Sequence, residues 1–364
     1  MNKKYFNLQS IMIRGSMILF WLSIIAAFLF SPRLVPELQE KRSICMYSWS
    51  DRIDESLILK FEAETGIKVY MNYYDSNEEL LVKLNIMPES GCDIMLPSDY
   101  IIEELVKLKL LKKIDQSRCN FTKRLYPELM SKFYDPQNEY ALPLYWDVMS
   151  VGYSKKRFPD GPPTKSWGMV FEKDLVPCDK IGMINDPRES IALLSTYLNL
   201  DGKDQTKETI TKFRKLLIDQ KEWLGVYCDA QQGYFLSSGA YDMAVSQREY
   251  IARAMQDCPT IGCMIPEEGS LLTIDCIVIS ASTKKDDLIY QFLNFIYSHE
   301  VLSHNCREFC FLPAARDVFD ILDEKTIGIP GLHPRDLPEK NITVFRNWLP
   351  LKDTSEFWIR IKSA

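Results

Sequence analysis

Several aromatic and acidic side chains in this sequence have the chemistry needed to hold an organic cation. Trp49 stands two residues before Asp51, and an indole beside a carboxylate offers cation–π attraction together with a charge-assisted hydrogen bond. Further carboxylates stand at Asp186 and Glu189 and, inside an otherwise apolar run, at Asp275. A carboxylate in such a run is costly to bury unless it is paired. Asp275 is therefore predicted to be either a structural ion pair or a ligand contact.

Two other interpretations of these residues remain open. Trp49 can simply pack on the core, with Asp51 solvated at the start of a helix. Asp186 and Glu189 could instead form the acid–base pair of a hydrolase such as a glycosidase. No positioned nucleophile, histidine base or metal set accompanies those two carboxylates, so we expect a binding protein without catalytic chemistry and not an enzyme.

The first third of the chain alternates between strand and helix patterns. Because this alternation fits into fewer than seventy residues, it predicts a parallel sheet whose carboxyl ends, at Trp49–Asp51 and Ser98–Tyr100, lie close together. Ligands bind at that edge in open α/β sheets. Ser76 and Glu79 form the predicted capping box of the second helix. The predicted elements are strand Ser43–Trp49, helix Leu57–Ala63 closed by Gly66, strand Ile67–Tyr73, helix Glu78–Leu84, strand Cys92–Leu96 and helix Ile101–Leu111.

The rest of the chain also contains predicted strands and helices, together with one long apolar segment. Tyr140–Tyr153 follows a polar turn and is predicted to cross from one lobe to another. Strand Ile181–Asn185 delivers Asp186 to the start of a helix, again placing a carboxylate at a strand end. The other predicted elements are helices Ser190–Leu198, Lys207–Gln220, Glu249–Gln256 and Asp286–Tyr297, and strands Ala240–Ser246 and Leu271–Ser280.

Length and charge limit the class of protein. A chain of 364 residues exceeds the usual size of one core, so two lobes are expected. The net charge of −6 and the absence of a polybasic stretch argue against a nucleic-acid partner. Lys3, Lys4 and Arg14 precede the uncharged apolar run Ser16–Phe30, which is typical of an export signal. Residues 1–42 are predicted to be a signal peptide or, because no clean cleavage site follows, an uncleaved N-terminal anchor.

The cysteines and histidines give weaker signals. Ten cysteines in an exported chain allow disulfides, and the closest pairs along the sequence are Cys258/Cys263 and Cys306/Cys310. The three histidines form no ligand pattern with the cysteines, so neither a metal nor another cofactor is expected.

Short motifs in a fixed order give the chain a family resemblance. Each motif is weak alone, but their order and spacing together resemble the spermidine/putrescine-binding periplasmic proteins that serve polyamine importers of the ABC class. The resemblance extends from about Ser43 to Lys362. The motifs are Tyr47-Ser48-Trp49-Ser50-Asp51, Phe61-Glu62-Ala63-Glu64-Thr65-Gly66-Ile67-Lys68-Val69, Leu96-Pro97-Ser98-Asp99-Tyr100, Asp186-Pro187-Arg188-Glu189, Asp275 and Pro313-Ala314-Ala315-Arg316.

The resemblance implies a two-lobed α/β solute-binding fold of the type II-like class, which closes over an extended polyamine in the cleft between its lobes. It assigns residues 43–143 and 273–310 to the first lobe and residues 144–272 and 311–364 to the second. It also implies a monomer in the periplasm, delivering spermidine or putrescine to a membrane permease, with a different small cation or an amino acid as the alternative ligand. The implied ligand contacts are Trp49, Ser50, Asp51, Ser98 and Tyr100 from the first lobe, Asp186 and Glu189 from the second lobe, and the buried carboxylate of Asp275.

The chain departs from the family pattern at several aromatic positions. Arg52 stands where the family has a second aromatic residue, and Val245 and Thr273 stand where it has cleft tryptophans. A cleft tyrosine of the family falls near Phe309. Arg52 and Arg248 are each predicted either to pair with cleft carboxylates, which would weaken amine binding, or to face solvent.

Overall fold

The computed structural model describes residues 14–25, 42–86, 92–200, 206–344, 347, 349 and 351–364. Most of the predicted export segment therefore lies outside the described residues, and its described part, 14–25, is helical. Within the described ranges, no helix has both the length and the apolar character that a membrane span requires.

Twelve strands form the sheet of the described chain, and its two longest members are central. The path of paired strands runs β2-β1-β3-β10-β5-β8-β6-β7, and β4, β9, β11 and β12 pair at its sides. The strands are β1 (Ser43–Ser48), β2 (Lys68–Tyr73), β3 (Ile94–Met95), β4 (Leu111–Lys112), β5 (Ala141–Ser154), β6 (Ile181–Met183), β7 (Leu224–Tyr227), β8 (Met243–Gln247), β9 (Ile261–Met264), β10 (Ser270–Ser280), β11 (Leu312–Pro313) and β12 (Ile342–Val344).

Helices cover the sheet and connect its strands. The α-helices are α1 (Glu55–Thr65), α2 (Asn77–Ile86), α3 (Ile102–Lys107), α4 (Gly168–Phe171), α5 (Pro187–Tyr197), α6 (Lys207–Gln220), α7 (Gln232–Ser237), α8 (Arg248–Asp257), α9 (Asp286–Ile296), α10 (His299–Phe309), α11 (Arg316–Phe319), α12 (Glu324–Ile327) and α13 (Leu351–Ser363). Short 3-10 turns lie at Asp99–Ile101, Gln116–Arg118, Thr122–Arg124, Pro127–Leu129, Lys173–Leu175 and Pro334–Asp336.

Strand direction separates the sheet into two halves. Strand β1 pairs in parallel with β2 and β3, and β6 pairs in parallel with β7 and β8. Strand β5 joins these halves, because Ala141–Val148 pairs antiparallel with β10 whereas Met149–Tyr153 pairs antiparallel with β8. We call the half with β1–β4 the first lobe and the half with β6–β9 the second lobe. The predicted crossing segment is thus a continuous buried strand.

Local signals account for the first two helices. The Asp54 carboxylate accepts a hydrogen bond from the Ser56 amide at 2.8 Å, and Gly66 ends α1 in the left-handed conformation with φ 67°. At α2, the Ser76 hydroxyl accepts from the Glu79 amide at 3.1 Å while the Glu79 carboxylate accepts from the Asp75 amide at 2.8 Å. The reciprocal contacts of the predicted capping box are present, shifted by one residue on the return bond.

One predicted helix is shorter in the structure. The helix predicted to continue to Leu111 ends at Lys107, because Lys109 adopts φ 57° and a left-handed residue stops the helical ladder. The sequence left the pairing of the cysteines open, and in the structure all ten cysteines are free thiols.

The hydrophobic core consists of two clusters. The first contains Ile44, Ile94 and Ile277, and the second contains Met149, Ile181 and Phe213. After residue 311 the chain contributes to both clusters: the stretch from Leu312 to Ile342 packs in the first, whereas helix α13 packs in the second. The sequence prediction places both stretches in the second lobe, and this assignment stays a prediction.

Candidate functional site

A cleft of about 540 Å³ opens between the two lobes at the carboxyl ends of the strands. Seven of the eight predicted contacts line it, namely Trp49, Ser50, Ser98, Tyr100, Asp186, Glu189 and Asp275. The topology explains this convergence, because β1 and β3 of the first lobe and β6 of the second lobe lie on either side of the central strands β10, β5 and β8, and ligands bind at the strand ends of open α/β sheets.

Asp51 is the predicted contact that does not line the cleft. It adopts φ 56°, its side chain is 67% exposed, and its carboxylate lies 3.9 Å from Arg253. The turn brings the next residue, Arg52, into the cleft lining instead. The cation of Arg52 therefore stands in the cleft, and the anion of Asp51 stands outside it.

Arg52 neutralises carboxylates at one end of the cleft. Its Nε donates to Asp275 at 3.1 Å and its Nη1 donates to Glu249 at 3.0 Å. The second oxygen of Asp275 accepts from the Ser98 hydroxyl at 2.8 Å. The guanidinium also lies 4.5 Å from the ring centre of Phe311. Asp275 thus forms an ion pair with Arg52 inside the protein. The interpretation that Arg52 faces solvent is wrong.

A second arginine lies behind the same end of the cleft. Arg248 is fully buried and its Nε donates to Asp147 at 2.8 Å, while its Nη1 donates to the carbonyl oxygens of Thr326 and Ile327. The other Asp147 oxygen accepts from the amide of Glu249 at 2.8 Å, at the start of α8. Arg248 is therefore a core ion pair rather than a solvated side chain.

Glu249 carries the excess negative charge of this cluster. Burial, reinforced by the carboxylates of Asp147 and Asp275 and opposed by Arg52, raises the pKa of Glu249 to about 7. Two guanidinium groups face three carboxylates here, so one carboxylate binds a proton more readily than an exposed glutamate does.

Arg188 makes the corresponding contacts at the other side of the cleft. Its Nη2 donates to Asp186 at 2.6 Å and its Nη1 to Glu78 of the first lobe, and its guanidinium lies 4.1 Å from the ring centre of Tyr100. Asp186 also caps α5, because it accepts from the amides of Arg188 and Glu189 at 2.7 and 3.1 Å. Asp186 is thus engaged in a structural role.

Glu189 differs from these carboxylates. Among the described residues its hydrogen bond comes from a neutral group, the amide Nε2 of Gln247, at 2.9 Å. Burial and the neighbouring carboxylate of Asp186 raise the pKa of Glu189 well above its usual range; the charge of Arg188 opposes this shift and Asp229 adds to it. Burial also raises the pKa of Asp229. A buried carboxylate with this environment is stabilised by an added cation.

The remaining walls of the cleft are aromatic. The rings of Trp49 and Tyr74 lie 4.7 Å apart, and Tyr100, Tyr145 and Tyr250 also line the cleft. The indole Nε1 of Trp49 is buried and has no hydrogen-bond partner among the described residues. These surfaces suit methylene groups and ammonium groups.

Two positions at which the family has cleft tryptophans carry non-aromatic residues in this chain. Val245 is buried in the second hydrophobic cluster, and the Thr273 hydroxyl accepts from Gln247 at 3.2 Å at the cleft wall. No group of three or more His, Cys, Asp or Glu side chains in the described ranges is arranged to hold a metal ion.

Sequence reasoning missed Glu249, Gln247 and Tyr74 as cleft residues. Gln247 and Glu249 stand at and just after the end of β8, so the same strand-end rule that selected Asp186 applies to them. Tyr74 directly follows β2, and its hydroxyl donates to the Leu96 carbonyl at 2.7 Å.

Comparisons with known proteins agree with this architecture. Among curated relatives, the putrescine-binding periplasmic protein SpuD of Pseudomonas aeruginosa is 25% identical over 343 residues, covering 89% of this chain and 93% of its own. The putrescine-binding periplasmic protein PotF of Escherichia coli is 26% identical over 332 residues, covering 86% and 89%. Both relatives are named as periplasmic binding proteins.

A solved structure gives the same result. A putative spermidine/putrescine ABC transporter protein of Listeria monocytogenes superimposes with a TM-score of 0.77 at 27% identity, covering 88% of this chain and 99% of its own. The predicted two-lobed α/β fold is thereby confirmed. The family model described as bacterial extracellular solute-binding protein matches residues 56–326, so the chain belongs to the bacterial extracellular solute-binding protein family.

Proposed function

We propose that this protein binds a polyamine in the cleft between its lobes and delivers it to the permease of an ABC importer. The observation that carries the proposal is Glu189, a buried cleft carboxylate that accepts its described hydrogen bond from the neutral amide of Gln247 and whose pKa is raised although Arg188 opposes the shift. Aromatic rings line the approach to it, as an alkyl ammonium ligand requires. The relatives named as putrescine-binding and spermidine/putrescine-binding proteins support the same ligand class.

The location of the protein follows from the same assignment. The basic residues and apolar run of the N-terminal segment support export to the periplasm, the location named for the relatives; the segment acts either as a cleaved signal peptide or as an uncleaved tether to the inner membrane. We propose that the exported protein acts as a monomer, since its cleft is complete within one chain.

Calorimetry and thermal unfolding test the proposed ligand. Putrescine or spermidine should bind with one site per chain and should stabilise the fold by about 2.7 kcal/mol at a hundredfold excess over the dissociation constant. Sodium chloride at matched ionic strength is the control. Equal stabilisation by the salt, or an unrelated ligand identified by mass spectrometry of the purified protein, would contradict polyamine binding.

A further inference from the structure

The carboxylates of the cleft divide into those that already have an arginine partner and those that do not. At one end, both oxygens of Asp275 are engaged, one by Arg52 and the other by Ser98. Glu249 is held by the same guanidinium at 3.0 Å. At the other end, Glu189 accepts its described hydrogen bond from the neutral amide of Gln247. The two ends therefore differ in what they offer to an ammonium group.

Arg52 is held firmly where it stands. Its side chain is 13% exposed, it bridges Glu249 of the second lobe and Asp275 of the central strand, and it lies on the face of Phe311. A guanidinium stays charged at all accessible pH values and its planar fork keeps two carboxylates in fixed directions. A ligand ammonium at Asp275 would have to displace this cation and leave it buried beside a second positive charge.

On the basis of the proposed function, we propose that Arg52 is a built-in cation that makes the cleft selective for diamines over triamines. Arg52 supplies the positive charge that the third ammonium of a triamine would bring to Asp275 and Glu249. A diamine places one ammonium at Glu189, near Asp229, and lays its methylenes along Trp49 and Tyr74. Its second ammonium stays short of the Arg52 guanidinium, whereas the longer triamine carries an ammonium into contact with it.

The test measures putrescine and spermidine affinity by calorimetry at pH 8, where Glu249 is mostly ionised. The wild-type chain should bind putrescine at least about tenfold more tightly than spermidine. Arg52→Gln frees two carboxylates and should reverse or abolish that preference through a gain in spermidine affinity. Arg52→Lys keeps the positive charge and should retain the preference for the diamine.

Arg253→Gln is the matched control. Arg253 also lies near the cleft but is not part of its lining, and it pairs with the exposed Asp51. This variant should leave the ratio of the two affinities unchanged. A folded Arg52→Gln protein whose ratio equals that of the wild type would overturn the proposal.

The wild-type measurement decides the matter even where Arg52→Gln does not fold. Spermidine affinity equal to or greater than putrescine affinity would refute selectivity while leaving polyamine binding in place. Binding of neither amine by the wild type or by Arg253→Gln would instead refute the proposed function, and the inference with it.

Discussion

Replacing Glu189 with glutamine should affect ligand binding and protein stability in opposite directions. The substitution keeps the size of the side chain and removes the charge. An ammonium group left buried without its counter-charge loses roughly 2–5 kcal/mol of binding free energy. Because 1.4 kcal/mol is tenfold in affinity, we expect putrescine to bind about thirtyfold to several-thousandfold more weakly.

The stability of the free protein should not fall. Burial raises the pKa of Glu189, so its ionised form is disfavoured in the folded state relative to the unfolded chain. Glutamine removes that cost and can still accept the hydrogen bond from the Gln247 amide. Above neutral pH the free energy of unfolding should equal or exceed that of the wild type.

The assay combines calorimetric titration with putrescine and urea unfolding at pH 8. Asp219→Asn is the control, because it makes the same charge change at an exposed position of α6, where Asp219 pairs with Lys215. Unchanged putrescine affinity in a folded Glu189→Gln protein would show that the ammonium binds elsewhere. A stability loss of several kcal/mol would instead show that the Glu189 carboxylate is part of a structural ion pair.

Three further predictions address charge, packing and motion. Between pH 4.5, the ordinary pKa of a glutamate, and about 7, Glu249 keeps its proton in the folded state but loses it in the unfolded chain. The free energy of unfolding should therefore fall as the pH rises through that window, by at most about 1.4 kcal/mol per pH unit. In urea unfolding, Glu249→Gln should flatten this pH dependence, and an unchanged dependence would contradict the account. Arg248→Met leaves Asp147 buried without its cation and should cost about 3–5 kcal/mol in the same assay, whereas a loss below 1 kcal/mol would argue against a buried ion pair. Saturating putrescine should reduce the radius of gyration in small-angle scattering, and an unchanged value would indicate a rigid preformed pocket.

The elements of the fold were predictable because their signals are local. Asp54 and Gly66 mark the two ends of α1 within a dozen residues, and both marks are read directly from residue type. The end of α3 was not predictable in the same way, since Lys109 adopts a left-handed conformation that lysine rarely takes.

The pairing of charges in the cleft depends on contacts that no local pattern contains. Arg52 and Asp275 are 223 residues apart in sequence and meet only because β1 and β10 lie on either side of β3. In the turn after β1, Asp51 adopts a left-handed conformation and Arg52 lines the cleft, a geometry that the residue types do not reveal. The rule that ligands bind at the carboxyl ends of the strands located the acidic side chains. It could not indicate which of them are neutralised by arginines of the same chain.

The arginines also change how a ligand can close the cleft. Arg188 links Asp186 of the second lobe to Glu78 of the first, and Arg52 reaches Glu249 across the same gap. Carboxylates that would repel each other as the lobes approach are therefore already compensated at these positions. A ligand favours the closed state only by its differential affinity for that state. Its electrostatic share of that affinity must come mainly from Glu189, so affinity and closure should be lost together in Glu189→Gln.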